Sequence, residues 1–374
     1  MAKNANLSNA KKAKNDEFYT RLEDIEKELN EYEPAVFKDK TIFCNCDDPT
    51  SSNFWVFFHM NFNRLGLKKL ITTHYNMDGS SSYAMTYDSK DSKDDIDFSK
   101  GTKIQLKGNG DFRSAECIDL LKQSDMVVTN PPFSMFREYI AQLEEYNKQF
   151  IIIGNPNAIT YKEIFPLIKD NKLWIGNKPW SKEMYFYIPK TYADYLIKNK
   201  KEGSAYVVEK GKILGRTATL WFTNVDTKKR HHKLETVYRW RKRKEKYPDL
   251  YPKYDNYDAI EVGKVLQIPL DYDGIMGVPI TFLDKFNPDQ FEILGLSGKV
   301  GYGLCSNQFY NDYKEAKHDG SYTGASGKKT NGNPVLQGMP KKSHYFINKS
   351  GRTVYSLYAR IFIKNKHPED YQNN

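Results

Sequence analysis

Cysteine is scarce in this sequence, and long hydrophobic runs are absent. The 374 residues include four cysteines, Cys44, Cys46, Cys117 and Cys305, too few and too scattered for a disulfide framework. The one-residue gap between Cys44 and Cys46 does not match the spacing of zinc ligands. No apolar stretch reaches the length of about 18 residues that spans a bilayer, and the first residues lack the apolar core of a secretory signal. We therefore expect a cytoplasmic protein with reduced thiols and no membrane contact.

Two nucleotide-binding motifs are incomplete. Gly108-Asn109-Gly110 lacks the third glycine of a dinucleotide fingerprint, because Arg113 occupies that position. Gly327-Lys328-Lys329 lacks the serine or threonine of a phosphate loop. The neighbouring His231 and His232 are badly placed to share a metal on one helical face. These features disfavour nicotinamide cofactors, nucleoside triphosphates and zinc.

The chain is basic and long enough for two domains. It has 57 lysines and arginines against 47 acidic residues, a formal net charge of +10. Because neutralising phosphates releases counterions, this charge favours a polyanionic partner. A typical domain has about 150 residues, so the length predicts one large domain and a second module.

Apolar runs and helical patterns alternate between residues 41 and 153. Strands are predicted near residues 41–46, 70–72, 126–129 and 150–153, and helices from about Asp16 to Pro34 and near 53–65, 115–123 and 135–147. This rhythm predicts an α/β fold with a doubly wound, mostly parallel sheet. Ligands bind beyond the carboxyl ends of such strands, so Asp48 and Asn130 are expected to share one cleft.

Composition divides the chain into three predicted regions. Residues 1–15 are polar and lysine-bearing, and form a predicted flexible basic arm. Residues 16–225 form the catalytic domain, in which the Asp-, Ser- and Lys-rich stretch 76–100 is interpreted as a solvated excursion without chemistry. Residues 226–374 form an appended recognition module, with a last strand expected between Ser356 and Ile363.

The most informative motif is Asn130-Pro131-Pro132-Phe133, directly after the strand 126–129. Two prolines end the strand because each fixes φ and lacks an N–H donor. Pro132 keeps Pro131 extended, so the Pro131 carbonyl and the Asn130 side chain offer two acceptors, and Phe133 offers a flat face. This arrangement suits an aromatic amino group awaiting methylation. The alternative is a structural Pro-Pro turn with Phe133 in the core.

Two acidic loops lie near predicted strand ends. In the segment Cys46–Asn53, Asp48 suits a positively charged amino group, although Asp48 or Ser52 alternatively caps the next helix. In Gly110-Asp111-Phe112, Asp111 can accept from an adenine amino group while Phe112 packs on the ring, although a simple Gly-Asp turn is the alternative.

Basic residues are densest between positions 228 and 246, with aromatic side chains interleaved. This pattern is typical of a nucleic-acid contact surface, or alternatively of a solvated helix face. The candidate DNA-binding residues, including those of the N-terminal arm, are Lys11, Lys12, Lys14, Lys228, Lys229, Arg230, Arg239, Arg241 and Arg243.

Four motifs taken together carry a family resemblance. They are Asp16-Glu17-Phe18-Tyr19-Thr20, Cys44-Asn45-Cys46-Asp47-Asp48-Pro49, Gly110-Asp111-Phe112 and Asn130-Pro131-Pro132-Phe133. In combination they resemble the EcoRI-type family of adenine-N6 DNA methyltransferases. The resemblance runs from about residue 11 to 170 and resumes near residues 277–282 and 358–363.

This resemblance implies a class I methyltransferase fold that uses S-adenosylmethionine. The cofactor-binding residues it implies are Tyr19, Thr20, Asp48, Pro49, Asp111, Phe112 and Asn130, and the catalytic residues are Asn130, Pro131, Pro132 and Phe133. In one departure from the family pattern, Thr50, Ser51 and Ser52 replace the glycines that normally follow the first strand. Residues 70–75 also offer no carboxylate for a ribose.

The expected function is site-specific methylation of adenine N6 in duplex DNA, with the target base rotated out of the helix. A restriction nuclease acting on the same site is a possible partner. One alternative keeps the chemistry and changes the acceptor to RNA or a protein glutamine. Another is a non-catalytic nucleic-acid-binding protein.

Overall fold

The computed structural model describes residues 18–89, 100–298, 302–341 and 343–369, and these form two compact units. The first unit comprises the described residues up to Ile164 together with Lys172–Thr227. The second comprises Phe165–Asn171 and the described residues from Lys228 onward. The predicted basic arm, with Lys11, Lys12 and Lys14, lies outside the described residues.

Helices and strands alternate along the first part of the chain, as the apolar pattern predicted. Up to Thr227 they are β1 (Tyr19–Thr20), α1 (Leu22–Leu29), β2 (Thr41–Cys44), α2 (Asn53–Met60), α3 (Phe62–Leu65), β3 (Lys69–Thr73), β4 (Tyr83–Asp88), β5 (Thr102–Gln105), α4 (Ala115–Gln123), β6 (Met126–Thr129), α5 (Phe136–Glu145), β7 (Gln149–Gly154), α6 (Phe165–Lys169, part of the second unit), β8 (Trp174–Ile175), β9 (Met184–Tyr187), α7 (Lys190–Asn199), β10 (Tyr206–Glu209), β11 (Lys212–Thr217) and β12 (Leu220–Thr223).

An eight-stranded mixed sheet organises the first unit, in the order β5-β4-β3-β2-β6-β7-β12-β8. The four central strands run parallel, in the register Ile42 to Leu70 and Ile42 to Met126. The flanking strands pair antiparallel on both edges. The prediction of an α/β fold is therefore confirmed, but the prediction of a mostly parallel sheet is wrong. Four of the eight strands join the sheet through antiparallel pairs, and the residue pattern of one strand does not reveal the direction of its partner.

The sheet has a switch point between β2 and β6. From β2 the chain passes through α2 and α3 to β3 on one side, whereas β6 lies on the other side of β2. Loops that leave two such strands diverge and open a crevice at their carboxyl ends. Asn45–Asp48 follow β2 and Asn130 follows β6, so both segments meet at this crevice.

Helix α2 anchors the switch point because it is apolar on nearly every side. Phe54, Trp55, Phe57 and Phe58 are each at most 1% exposed. Full burial of one such side chain contributes about 1.5–3 kcal/mol, so α2 is firmly held against the sheet. Its first residue therefore has a fixed position beside the crevice.

Two segments differ from their predicted structure. The helix expected from Asp16 begins at Leu22, because Tyr19 and Thr20 instead pair with β9 as strand β1. The predicted excursion 76–100 contains β4, whose Ala84, Thr86 and Tyr87 are buried against the sheet. This segment has polar neighbours in sequence, but its pairing with β3 places it in the core. The sequence around residue 84 does not show this pairing.

The remaining strands of the first unit form a second, antiparallel sheet in the order β1-β9-β11-β10. Phe186 of β9 is fully buried, and Phe18, just before β1, packs edge-on against it at 5.7 Å between ring centroids. This sheet thereby fixes the course of the chain at residues 18–20.

The second unit is rich in β structure. Beyond Thr227 its elements are α8 (Arg243–Lys246), β13 (Ile260–Glu261), β14 (Met276–Pro279), β15 (Phe291–Leu296), β16 (Lys314–Ala316), β17 (Tyr322–Ser326), β18 (Val335–Gln337), β19 (Tyr345–Ile347), β20 (Thr353–Ser356) and β21 (Arg360–Asn365). They form a sheet in the order β13-β14-β21-β15 and another in the order β17-β16-β19-β20-β18. The single last strand expected from Ser356 to Ile363 is thus divided between β20 and β21.

Among the described residues, no helix combines the length and apolar character needed to cross a bilayer.

Candidate active site

A cavity of about 410 Å³ opens at the carboxyl ends of β2, β3 and β6. This volume is within the range of small-molecule sites. The side chains that line it come from five segments of the chain and include most of the predicted cofactor-binding residues. They are Phe18, Tyr19, Thr20, Cys46, Asp47, Asp48, Ser51, Ser52, Asn53, Phe54, His74, Tyr75, Met77, Asp111, Phe112, Asn130, Pro132, Ser134 and Met135.

The Asn130 side chain is oriented by a single strong contact. Its Nδ2 donates to the backbone carbonyl of Phe18 at 2.7 Å. This bond uses one N–H of the amide and fixes the orientation of the amide plane, and with it the position of the acceptor Oδ1. Oδ1 is buried and has no hydrogen-bond partner among the described residues. A buried acceptor without a donor is costly, so this atom is suited to an incoming N–H group.

The two prolines and Phe133 continue from β6 into a short 3₁₀ turn, Phe133–Met135. Pro131 is buried, whereas Pro132 lines the cavity. Phe133 is half-buried and is not a cavity-lining residue; its ring is offset-stacked with Phe18 at 6.1 Å and an interplanar angle of 17°. One face of Phe133 is therefore occupied by Phe18, and a planar base must use the other face or displace that ring.

Two asparagine amides hold residues 18–20 over the cavity. Asn130 donates to Phe18 as described, and Asn53 Nδ2 donates to the Thr20 carbonyl at 2.7 Å. Asn53 is the first residue of α2 and Asn130 follows β6. The motif that contains Tyr19 and Thr20 is thus connected to both sides of the switch point.

Two adjacent carboxylates face the cavity from the loop after β2. Asp47 accepts from Ser52 Oγ at 3.1 Å and from the Thr129 hydroxyl, across the switch point. Burial raises the pKa of Asp47 to about 7, with Asp48 adding to the rise, although hydrogen bonds from Thr129, Ser52 and the Asn130 backbone oppose it. An acidic pair of this kind favours a cationic ligand, because such a ligand stabilises the ionised form of Asp47.

Asp48 is held by a separate set of donors. Its Oδ1 accepts from the backbone and hydroxyl of Thr50 and from the Tyr83 hydroxyl, each at 2.9 Å. Burial and the Asp48 carboxylate raise the pKa of Tyr83 to about 12, so the phenol remains a donor. His74 Nε2 lies 3.7 Å from Asp48 Oδ2. Neither His74 nor Tyr83 was predicted as a site residue.

The loop 108–113 closes another side of the cavity. Arg113 grips Asp111 through Nε at 2.9 Å and through a terminal nitrogen at 2.7 Å, and these bonds lower the pKa of Asp111. Asp111 is therefore ionised and held in place by Arg113, with acceptor capacity remaining. Phe112 lines the cavity although it is only 3% exposed, and its ring packs edge-on against Tyr139 at 5.0 Å between ring centroids.

Gly110 permits this loop to approach the end of β3. Its φ is +83°, and a Cβ there would lie 1.9 Å from the His74 carbonyl oxygen.

We expect Gly110→Ala to displace Asp111, because the new Cβ would collide with the His74 carbonyl. The free energy of unfolding should fall by more than the roughly 1–2 kcal/mol that a positive φ alone costs. Thermal unfolding and cofactor titration measure the two effects. Gly79→Ala is the matched control, because Gly79 has φ +82° but no atom within 4 Å of its Cβ position; equal losses in both variants would contradict the steric role.

Most of the predicted site residues come together here, and a few do not. Tyr19, Thr20, Asp48, Asp111, Phe112, Asn130 and Pro132 line the cavity, whereas Pro49, Pro131 and Phe133 lie behind it. Asp47, His74, Tyr75, Met77 and Asn53 were missed. The only available signal was position, since each follows a predicted strand or begins a predicted helix.

Internal contacts occupy much of the predicted basic surface. Arg230 is buried and bonds Asn171, Lys229 Nζ lies 2.7 Å from Asp284, and Arg239 pairs with Glu369. Arg241 is half-buried, with its Nε 3.7 Å from Asp271, and the Arg243 guanidinium lies 3.7 Å from the Trp240 ring centre. Lys228 is exposed. Burial removes Arg230 from the set of side chains that can reach a phosphate.

Comparisons with known proteins point in one direction. The family model described as "Adenine-specific methyltransferase EcoRI" matches residues 6–366. The Escherichia coli "Type II methyltransferase M.EcoRI" is 47% identical over 310 residues, covering 79% of this chain and 90% of that protein. "Type II methyltransferase M.MpnI" of Mycoplasma pneumoniae is 42% identical over 327 residues, covering 86% and 95%. No solved structure matches the chain.

Proposed function

The chain belongs to the adenine-specific methyltransferase EcoRI family, and we propose that it transfers a methyl group from S-adenosylmethionine to N6 of an adenine flipped out of duplex DNA. Membership confirms the family and the enzyme class predicted from the four motifs: the chain is a DNA adenine methyltransferase. The cofactor, the flipped base and the residue roles below are our proposals.

The observation that carries the proposal is the Asn130 amide. Its nitrogen donates to the Phe18 carbonyl, and its buried oxygen has no donor among the described residues. In the same cavity, Asp47 and Asp48 supply negative charge. The unsatisfied Asn130 oxygen fits the N–H group of an amino nucleophile, and the two carboxylates beside it fit a cationic methyl donor.

The cavity fits S-adenosylmethionine in charge and in size. When bound, this cofactor supplies an electrophilic methyl group on a positively charged sulfur. Asp47 and Asp48 would hold its cationic end, and the N-terminus of α2, beside Ser52 and Asn53, would favour its carboxylate. Asp111 would accept from the adenine amino group of the cofactor, with Phe112 against the ring edge. Tyr19 and Thr20 would cover the site.

Asn130 and the Pro131 carbonyl would activate the target amine. The lone pair of adenine N6 is delocalised into the ring, so N6 is a poor nucleophile. Acceptance of its two hydrogens localises that lone pair on the side of the methyl group. Asn130 and the Pro131 carbonyl would in this way hold the lone pair toward the methyl carbon; as the new N–C bond forms the S–C bond would break, and the surplus N6 proton would pass to solvent. Pro132 fixes the carbonyl of Pro131, and Phe133 would contact the base.

We further propose that His74 replaces the missing ribose-binding carboxylate. Ser82 Oγ donates to the His74 carbonyl at 2.6 Å, so it accepts from His74 Nδ1 at 3.0 Å. In the neutral ring Nε2 is then an acceptor, 3.7 Å from the acceptor Asp48 Oδ2. Nε2 would therefore accept a hydrogen bond from one ribose hydroxyl, while the Asp48 carboxylate stays available to the cationic end of the cofactor.

His74→Ala should weaken binding of S-adenosylmethionine and of S-adenosylhomocysteine by about tenfold, the worth of one hydrogen bond. Titration calorimetry gives the two dissociation constants. His74→Gln, whose side-chain oxygen can accept, should recover part of the affinity. A deoxyribose analogue should bind the wild type and His74→Ala equally; an equal loss for the ribose and deoxyribose forms would contradict the assignment.

Duplex DNA is the proposed macromolecular substrate. Flipping one base costs a few kcal/mol, which phosphate contacts must offset. Lys228, the outward atoms of Lys229, Arg239, Arg241 and Arg243, and Lys11, Lys12 and Lys14 of the arm are the proposed contacts. We propose that the second unit is the recognition module, that the protein acts in the cytoplasm without membrane contact, and that a restriction nuclease of the same specificity is its functional counterpart.

Methyl-transfer assays test this function directly. The purified chain is incubated with S-adenosylmethionine carrying a labelled methyl group and with unmethylated duplex DNA, RNA or a glutamine peptide. Mass spectrometry should find the label as N6-methyladenine in DNA alone. Label in RNA or in the glutamine peptide would show that those molecules are the methyl acceptors. If the protein neither bound the cofactor nor transferred label, it would be a non-catalytic nucleic-acid-binding protein.

A further inference from the structure

A buried carboxylate in the second unit holds two polar side chains side by side at the surface. The Asp255 side chain is 2% exposed. Its Oδ2 accepts from the Tyr310 hydroxyl at 2.8 Å, and its Oδ1 accepts from Gln337 Nε2 at 2.9 Å and from one terminal nitrogen of Arg352. These residues border a polar depression of about 510 Å³, lined by Pro252, Lys253, Tyr254, Asp255, Gln308, Leu336, Gln337, Arg352 and Tyr355.

Arg352 and Gln337 both retain hydrogen-bonding capacity that faces outward. Arg352 is 42% exposed, and Asp255 takes only one end of its guanidinium group. Gln337 is exposed and gives one N–H to Asp255. Its second N–H and its Oε1 have no partner among the described residues. The carboxylate thus fixes both side chains without satisfying them.

The remaining donors and acceptors match base edges in the DNA major groove. An arginine fork pairs with O6 and N7 of guanine, and a glutamine amide accepts from N6 and donates to N7 of adenine. Both nitrogens bond the same Asp255 oxygen, so they lie within about 6 Å of each other. Stacked bases are about 3.4 Å apart, so the two side chains can reach neighbouring base pairs.

The charge of the site favours bases over phosphates. A phosphate group placed on Arg352 would lie close to the Asp255 carboxylate, which repels it. A guanine edge is neutral and meets no such repulsion. Gln337, moreover, carries no charge and adds little to a phosphate contact.

We propose that Arg352 and Gln337, positioned by Asp255, read a guanine and an adjacent adenine in the recognised DNA sequence. This inference rests on the proposed function, because it assigns part of the sequence specificity of that methylation. It also gives the second unit a defined role in recognition, through side chains that lie outside the predicted basic cluster.

The experiment compares sequence preference, not activity alone. Methylation mapping with the wild-type protein first identifies the recognised sequence, and duplexes are then made with each base pair changed in turn. The ratio of kcat/KM between the cognate and each altered duplex is measured for the wild type, Arg352→Ala, Arg352→Lys and Gln337→Ala. One base-specific bidentate contact discriminates by about 5- to 150-fold.

We expect Arg352→Ala to lose this discrimination at one guanine and Gln337→Ala to lose it at the neighbouring adenine, with the other positions unchanged. Arg352→Lys keeps a positive charge beside Asp255, and its discrimination at that guanine should lie between the wild-type value and the Arg352→Ala value. If Arg352→Ala does not fold, Gln337→Ala, which alters an exposed side chain, still decides the matter. Lys253→Ala is the matched control, because Lys253 lines the same depression. It should change kcat/KM by the same factor on every duplex and leave sequence preference unaltered.

Three outcomes would overturn the proposal. In one, both variants lower methylation of every duplex by the same factor, as phosphate contacts would. In another, the recognised sequence contains no guanine next to an adenine. In the third, the wild type methylates no DNA at all, which would also end the proposed function; the first two outcomes leave that function intact.

Discussion

Replacing Asn130 with alanine should reduce methyl transfer at saturating cofactor by about 100- to 1000-fold, the usual effect of removing one preorganised polar group at a reacting centre. The variant loses the buried Oδ1 that is proposed to accept from adenine N6. Cofactor and DNA should still bind, because the acidic pair and the second unit are unchanged. Single-turnover methylation, cofactor titration and DNA binding measure the three properties separately.

The same variant also releases the Phe18 carbonyl, and a control must separate this effect from chemistry. Asn53→Ala provides it, because Asn53 makes the equivalent 2.7 Å bond to the Thr20 carbonyl and contributes no acceptor to the proposed base site. Asn53→Ala should raise the cofactor KM and leave turnover at saturation within a few-fold of wild type. Similar turnover losses in both variants would show that Asn130 merely holds the 18–20 segment.

The strongly local signals in the sequence predicted their elements well. A helix was predicted near residues 115–123, and α4 has those bounds; Ser114, just before it, caps the helix through its Oγ, which accepts from the backbone N–H of Cys117. The strand 126–129 ends where the two prolines forbid its continuation. Capping and proline geometry depend on a few adjacent residues, so the sequence determines them directly.

Features that depend on distant pairing were not predicted. β4 lies in a segment that is polar on average, and only its antiparallel pairing with β3 buries Tyr87 and Ala84. The same hairpin brings Tyr83 to Asp48. Because strand partners are chosen by the whole fold, a window of neighbouring residues could not reveal this part of the site.

The sequence also could not show which of the two adjacent carboxylates, Asp47 or Asp48, lies against packed protein. Asp48 was selected as the cofactor carboxylate, and it does line the cavity. Asp47 was passed over, yet it is the one that accepts from Thr129 across the switch point and has the raised pKa. Whether a carboxyl faces water or packed protein depends on which element lies behind it, and Asp47 lies against the end of strand β6.

Charge density was a weaker guide than expected. Lysine and arginine clusters predicted a DNA-facing surface, but Arg230 is buried and Lys229 and Arg239 pair with acidic residues far along the chain. A sequence shows how many charges lie together, but not which are neutralised after folding. The candidate base-reading pair, Arg352 and Gln337, lies in a region without any such cluster.

Cofactor affinity should rise with pH across the range in which Asp47 ionises. Its pKa is about 7 in the cofactor-free protein, and a cationic ligand favours the ionised carboxyl, so binding must release a proton below that pH. Each pH unit below 7 should raise the dissociation constant by up to about tenfold, and the rise between pH 7 and pH 5 should be at most about 50-fold, because Asp47 is already half protonated at pH 7. Titration calorimetry over pH 5 to 7.5, in buffers with different ionisation enthalpies, gives both the affinity and the number of protons released.

Two variants decide whether Asp47 is the titrating group. Asp47→Asn removes the ionisation, so its weakened affinity should no longer depend on pH between 5 and 7. Asp111→Asn also lines the cavity, but the pKa of Asp111 is already lowered by Arg113, so this variant should retain the full pH dependence of the wild type. If the pH dependence persisted in Asp47→Asn, Asp47 could not be the group whose ionisation favours the cationic ligand, and the methyl donor would have to be held by Asp48 or by other residues of the cavity.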